Sequence, residues 1–472
     1  MSTEAMELYV EAVCGQIRNK RVHPDVREEL FAHLEDAVIG NMERGMSEEE
    51  AIRQAVAGMG DPLSVGKDLN RTHKVKIEWT VIALTAFFMA VGLLAMLSIV
   101  VSGSWLNDAL FVNKLKAQLA GVFVLAGVAL FDYRKLLRYT WHLYAGAILL
   151  IVMTAWSSGT VNGVPHLELP FNSMRIDVSF FAAVLLLIAV SGQIAGTRVK
   201  DTVFPASGES SKGSRDGISG SEPLMRIQIP RFAKEWALYA DGLLWKLLWF
   251  VVIPFMGLFQ IRSFSALFVY ATGLILLLVC SRMKERFALI GLTAACCTVG
   301  LAAGGSYGLQ RLKAFFGNDP DASFYTKKSL FLIEQGGLWG QGFAHGVKGI
   351  PAVHAELIFP YLVYALGWAA GAIVVAAAVM LALRFLQAAG RTTDSFGKML
   401  AAVVIAYFSI HFFWNFLMAI GLLPIIGLGL PFISYGGSSS ITEALLMGLF
   451  LSVYRLGRKP AANDPAFGRT EA

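Results

Sequence analysis

Charged residues are scarce in this sequence. Asp, Glu, Lys and Arg make up 16% of its 472 residues, where a soluble protein carries about a quarter. Cysteine is scarcer: Cys14, Cys280, Cys296 and Cys297 are the full set. None forms a CxxC pair, so the spacing supports neither a zinc site nor a disulfide framework. Three of the four lie in apolar segments, where cysteine is a small packing residue. An early apolar stretch is also missing. The first 78 residues are rich in Glu, Asp, Arg and Lys and hold no signal-peptide core. The first apolar segment is therefore expected to act as an uncleaved insertion signal.

Apolar residues fill the space that charge leaves. They make up 56% of the chain, and the mean hydropathy is +0.58. They also come in long blocks, and a helix needs ~20 mostly apolar residues to cross a bilayer. Ten spans are expected, at about 79–101, 116–131, 138–156, 178–196, 243–259, 264–281, 286–304, 357–383, 399–421 and 439–455. The fold class is thus all-α: a polytopic membrane protein with about ten transmembrane helices and a small N-terminal soluble three-helix domain. The net charge of +6 follows from the loops, as shown next, so nucleic acid is not an expected partner.

Cytoplasmic loops hold an excess of Lys and Arg. With the N-terminus inside, the inner loops carry Arg134, Lys135 and Arg138, then Arg198 and Lys200 among others, then Arg282, Lys284 and Arg286, then Arg384, Arg391 and Lys398. The loop at 422–438, which falls outside, has no charge. Both termini are therefore expected in the cytoplasm. A Ser/Gly-rich linker at about 200–225 reads as flexible. It divides the membrane part into four and six helices. The loop 305–356 is long, and its mixture of Gly, Pro, aromatic and charged residues favours function over disorder.

Residues 1–75 read as the soluble domain and 76–460 as the membrane domain. Amphipathic stretches are expected at 5–18, 24–44 and 47–58. Pro24 suits a first helical turn, Ser47 with Glu50 fits a capping box, and Gly45 and Gly58 fit helix ends. Val26, Leu30, Phe31, Leu34, Val38 and Met42 fall on one face. The layout resembles the short helical prefix domain that precedes some bacterial permease-like proteins. No catalytic grouping occurs in it, so a capping or regulatory role is expected.

The segment Gly427-Leu-Gly-Leu-Pro431-Phe-Ile-Ser434-Tyr435-Gly436-Gly437-Ser438-Ser439-Ser440 is polar and glycine-rich between two apolar spans. Non-helical backbone at membrane depth persists only where protein buries it or water reaches it. Glycines and serines before a helix expose N–H groups able to hold an anion, though an ordinary re-entrant turn has the same look. The spelling Pro-Phe-Ile-Ser-Tyr-Gly-Gly-Ser-Ser resembles the signature of the SEDS family, the shape, elongation, division and sporulation proteins, and the run from Asn415 to Gly448 continues the match. The loop adds Tyr307, Arg311 and Phe315, Ser329-Leu330, Gly337-Leu-Trp-Gly-Gln-Gly342, and Ile350-Pro-Ala-Val-His354-Ala-Glu356-Leu-Ile-Phe359.

The resemblance implies polymerisation of lipid II into glycan strands, with a class B penicillin-binding protein as partner, in the bacterial plasma membrane. Such a transfer needs a carboxylate to take the acceptor's proton and donors to hold the leaving diphosphate. The loop Asp of the family aligns with Glu356, the expected base. Its extra methylene moves the carboxylate by about 1 Å, a displacement that can cost ~100-fold, so Glu356 is either a retuned base or a sign of lost activity. An acid at a helix N-terminus is favoured in any case. Arg311 is the expected diphosphate contact. His354 is expected to position the carboxylate, although a lone His is often structural. Lys327 and Lys328 are weaker candidates. Asn415, Ser434, Tyr435, Gly436, Gly437 and Ser438 complete the expected substrate-binding set, with Asn415 equally able to serve as helix-packing glue. No metal ligands are expected, and the role of a divalent cation stays open.

The sequence departs from the family in several places. Gly-Ala-Arg-Trp appears here as Asn162-Gly163-Val164-Pro165-His166, Gln-Pro-Ser-Glu as Arg175-Ile-Asp177-Val-Ser179, Gln-Pro-Asp-Leu-Gly as Gln260-Ile-Arg262-Ser-Phe264, and a pair of Glu as Tyr364-Ala365. These departures motivate a second reading, a non-catalytic scaffold that binds the lipid-linked precursor. A transporter of that precursor is a third.

Overall fold

The computed structural model describes residues 2–17, 20, 23–72, 78–102, 108–157, 159–161, 164–169, 174–203, 242–281, 283, 285–303, 315–316, 320–345, 347, 350 and 353–457. The expected linker, from 204 on, and the loop residues Tyr307 and Arg311 lie outside the described residues. The chain divides into two compact units, Met1–Ile77 with Arg455–Ala472, and Glu78–Tyr454.

The first unit contains α1 (Ser2–Gln16), α2 (His23–Glu43), α3 (Glu48–Gly58) and α4 (Pro62–Thr72). The fourth helix goes beyond the three read from the sequence. Met59–Pro62 looks like a terminator, but the Asp61 Oδ2 accepts from the Ser64 N–H at 2.9 Å and Pro62 opens the next helix. The break is thus a start signal. α1 packs on α2, α3 and α4, with Val10, Val13, Val26, Leu30 and Leu34 in a shared core. Phe31 and Val38 pack against that core, while Met42 is exposed, so the apolar stripe of α2 is shorter than its periodicity suggests. Ser47 stands at the N-cap of α3 with extended backbone but makes no side-chain cap bond, so the expected capping box is not formed. Tyr9 donates to the Met59 carbonyl at 3.1 Å. Burial, and then the Asp61 carboxylate, push its phenol above the usual value.

In the second unit a helix covers each of the ten expected spans. They are α5 (Trp79–Val101), α6 (Asp108–Leu130), α7 (Thr140–Ala155), α8 (Ser179–Val203), α9 (Ile253–Gln260, after a π-helical turn Leu248–Val252), α10 (Phe264–Cys280), α11 (Arg286–Ala303), α13 (Ile358–Arg391), α14 (Ser395–Ala419) and α15 (Gly437–Leu456). Between α11 and α13 lies α12 (Pro320–Gly336). Seven of the described segments are long and apolar enough to cross a membrane, and Phe264–Cys280 and Arg286–Thr298 are shorter apolar helices. The first turns of α15 are polar, with Ser438, Ser439, Ser440, Thr442 and Glu443. Two antiparallel hairpins, β1 (Thr160–Val161) with β2 (Val164–Pro165) and β3 (Leu167–Leu169) with β4 (Met174–Ile176), join α7 to α8.

α8 is the most enclosed of the spans, and α7, α10 and α14 pack around it, with α13 set against the far side of the cluster through α14. α6 starts eight residues earlier than the apolar span at 116, because Lys114 looks like a loop residue in sequence and Gln118 like the polar end of a span. Both are buried, at 1% and 3% exposure, and hydrogen-bonded inside the bundle.

α13 is broken. Its 34 residues would reach ~51 Å at 1.5 Å each, beyond a hydrocarbon core of ~30 Å. At Gly367 the backbone leaves the helical region, with φ 85° and ψ 171°. The segment after α12 replaces the lost helical bonds. Gln341 and Gly342 donate to the Tyr364 and Ala365 carbonyls at 2.8 and 3.1 Å, and Trp368 and Ala369 donate to the Gly337 and Leu338 carbonyls at 2.9 and 3.3 Å. Only glycine fits at this crossing. A Cβ on Gly340, whose φ is +82°, would lie 2.4 Å from the Ala365 oxygen. Gly340→Ala is therefore expected to destabilise the protein by about 1–3 kcal/mol, read as a lower melting temperature in detergent.

Candidate active site

The segment 427–436 leads from α14 to α15 with no regular structure. Such backbone inside an apolar bundle needs partners for its N–H and C=O groups, and here side chains supply them. Lys114 Nζ donates to the Phe432 carbonyl at 3.0 Å and to the Ser434 carbonyl at 2.5 Å. Gln118 Nε2 donates to the same Phe432 oxygen at 3.0 Å. Glu443 Oε2 accepts from the Phe432 N–H at 2.7 Å. Both polar groups of Phe432 are thus gripped, and its φ of 61°, a left-handed conformation unusual outside glycine, is held by charged partners. Asn415 is fully buried and donates to the Leu428 carbonyl at 2.9 Å. Gly92 of α5 lets the turn approach: a Cβ there would lie 2.6 Å from the Phe432 oxygen.

The turn in turn holds the loop. Ser434 Oγ donates to the Ala355 carbonyl at 2.7 Å and accepts from the Leu430 N–H at 2.7 Å. The Tyr435 N–H donates to the His354 carbonyl at 2.8 Å. The His354 and Tyr435 rings meet edge to face at 5.5 Å. Burial lowers the His354 pKa below the usual histidine value, which favours the neutral imidazole.

A cavity of about 390 Å³ opens between these segments. Glu356 and Ala355 line it from the loop, and Ser434, Tyr435, Gly436 and Ser438 from the turn and the start of α15. A Cβ on Gly427 would lie 3.6 Å from Glu356 Oε1, so the carboxylate faces the turn. His354, Asn415 and Gly437 are not among the lining residues. Asn415 bonds the turn through its side chain and His354 through its backbone carbonyl. Arg311 lies outside the described residues. Lys328 stacks its ammonium over the Phe324 and Phe331 rings on α12, at 5.6 and 5.9 Å.

Sequence reasoning missed much of the wall. His166, Asp177 and Arg262, all in segments where the spelling departs from the SEDS pattern, line the cavity, as do Tyr407, His411 and Glu443. Three carboxylates, Asp177, Glu356 and Glu443, therefore share it with the Arg262 guanidinium. No group of three or more His, Cys, Asp and Glu among the described residues is placed to hold a metal ion.

The family model FtsW/RodA/SpoVE, described as cell cycle protein, matches residues 78–459. The chain belongs to this family. It is a multi-pass membrane protein, and the SEDS resemblance of its motifs is that of a member. A relative named probable peptidoglycan glycosyltransferase FtsW, from Geobacter sp. (strain M18), is 30% identical over 195 residues, 40% of this chain and 53% of that protein. The chain thus spans about half the length of the first curated relatives it matches. The peptidoglycan glycosyltransferase RodA of Treponema pallidum is 24% identical over 390 residues, covering 71% of this chain and 87% of that one. Among solved structures, a chain from a peptidoglycan synthase complex superposes with TM-score 0.58 at 18% identity, over 81% of this chain and 98% of its own. The crystal structure of the Thermus thermophilus rod shape determining protein RodA gives TM-score 0.53 at 17% identity, over 82% and 99%. These likenesses establish the fold.

Ser434 is the hinge between turn and loop in this FtsW/RodA/SpoVE-type site. Ser434→Ala leaves the Leu430 N–H and the Ala355 carbonyl without their side-chain partner. It is expected to cost about 1–3 kcal/mol, measured by thermal unfolding in detergent.

Proposed function

We propose that this chain is a peptidoglycan glycosyltransferase that polymerises lipid II in cell-wall synthesis linked to division or shape. The observation that carries the reading is the Glu356 carboxylate, on a cavity wall opposite a serine–glycine turn that opens a helix. An acceptor sugar hydroxyl attacks the anomeric carbon of the donor. The new glycosidic C–O bond forms as the bond from that carbon to the diphosphate oxygen breaks, with inversion. The hydroxyl proton passes to Glu356 and later to solvent, and the polyprenyl diphosphate leaves. Charge growing on the diphosphate meets Arg262 and the N–H groups at the start of α15. Arg311 would add a second cation. His354 braces the loop, and Ser434 and Tyr435 fix the turn against it. The names of the relatives support the reaction class, and the motif positions Glu356, Ser434 and Tyr435 support the site.

A class B penicillin-binding protein is the proposed partner, in keeping with a neighbour drawn from a peptidoglycan synthase complex. The proposed place is the bacterial plasma membrane, with both termini in the cytoplasm and the 305–356 loop outside. Residues 1–75 form a proposed regulatory prefix domain, followed by a membrane domain at 76–460.

Purified protein is expected to extend labelled lipid II into glycan strands. Glu356→Gln should lower that rate by about 100-fold or more, while binding of lipid II is retained. Unchanged strand formation in this variant would remove Glu356 as the base. Topology has its own test. With Lys328→Cys in a cysteine-free background, a membrane-impermeant maleimide should label intact cells, and a cysteine placed at Glu49 should react only after lysis.

A further inference from the structure

Two buried ionisable side chains of opposite type have no part in the transfer step itself. Lys114 and Glu443 are 1% and 5% exposed, on α6 and α15. Ionisable side chains at such positions are costly and mark function more often than stability. Lys114 lies outside the motifs that carry the resemblance and off the cavity wall, while Glu443 falls within the Asn415–Gly448 run and lines the cavity.

The bonds of Lys114 run in a definite direction. Its ammonium donates to the Ser434 carbonyl at 2.5 Å. That carbonyl and the Tyr435 N–H belong to one peptide group. The N–H donates to the His354 carbonyl at 2.8 Å, and His354 precedes Glu356 by two residues. A continuous relay thus joins a buried cation to the loop through a single peptide plane. A charged donor at one end polarises the peptide and strengthens the bond at the other. Glu443 holds the adjoining Phe432 N–H at 2.7 Å while Lys114 and Gln118 hold the Phe432 carbonyl. The peptide planes on either side of the turn are thereby fixed in rotation. An acidic and a basic side chain thus bond the two polar groups of one residue, Phe432, inside the bundle.

We propose that Lys114, with Glu443 as its counter-charge, is a positioning residue for the transfer reaction. It sets the 434–435 peptide and through it the place of the Glu356 carboxylate. The proposal rests on Glu356 being the base. A displacement of about 1 Å at a reacting group can cost ~100-fold in rate, so a residue two bonds removed from the loop can govern turnover without touching substrate.

Two measurements test it. The first reads the relay itself. In Lys114→Met, amide hydrogen exchange at Tyr435 is expected to speed at least tenfold relative to the wild type, with a matching rise in peptides covering 353–357. Unchanged protection overturns the proposal whether or not the protein makes glycan. The second reads its consequence. Lys114→Met should lower kcat for lipid II about tenfold or more with KM little changed, and the same substitution in a Glu356→Gln background should lower the residual rate by less than twofold. An equal fold-loss in both backgrounds means that Lys114 does not act through Glu356, which also overturns it. Lys114→Met alone leaves Glu443 unpaired, so Lys114→Met/Glu443→Gln, which removes both charges, serves as the folding control. It is expected to melt near the wild type while keeping the exchange and kcat defects. If the wild type makes no strands, the function proposed above fails, and the exchange measurement still decides the role of Lys114.

Discussion

Unpaired backbone in an apolar interior is the constraint from which the rest of this site follows. The 427–436 segment gives up helical hydrogen bonds inside an apolar bundle, where its polar groups need protein partners. Lys114, Gln118, Asn415, Ser434 and Glu443 replace them with side-chain bonds to Phe432, Ser434, Leu428, Ala355 and Leu430. Each of these contacts satisfies a polar group and also places one. The loop that carries Glu356 is tied to the same turn through Ala355 and His354. The carboxylate and the serine–glycine N-terminus of α15 therefore face one cavity as a result of satisfying the backbone.

How much of this could be read from the sequence depended on the kind of signal. The helical spans follow from long apolar runs, and a helix stands over each of them. The turn and Glu356 were legible because their spelling is specific. Lys114 was not, because a lysine beside an apolar run looks like the end of a membrane helix. Only the distant carbonyls of Phe432 and Ser434 explain its burial. Glu443 hid in the same way, three residues past a serine cluster. Tyr407 and His411 read as span residues, and nothing local marks them as facing a cavity. The fourth helix of the N-terminal unit was lost for a different reason: Asp61-Pro62 ends one pattern and begins another, and the two signals have the same letters.

The departures from the SEDS spelling look different once placed in space. His166 and Asp177 come from the α7–α8 connection and Arg262 from the α9–α10 one, yet all reach the wall shared by Glu356 and Glu443. Read one at a time, they look like lost family residues. Together they give the wall a different set of charges, with carboxylates on several sides and a guanidinium that replaces a family aspartate's neighbourhood. The chain keeps the scaffold of the turn and rewrites the surface around it, which is the pattern expected when a site is retuned as a whole.

The interruption of α13 at Gly367 has a mechanical meaning. The rod from Ile358 to Leu366 begins two residues after Glu356 and ends where the chain from Gly337 to Gly342 splices into it. It is anchored at both ends by loop backbone, so it behaves as a short strut on two bearings and not as the tip of a long beam. The Leu338–Trp339 tip, whose side chains are largely exposed, is thereby tied by backbone bonds to the end of the strut that starts beside the carboxylate, while the remainder of α13 packs against α14.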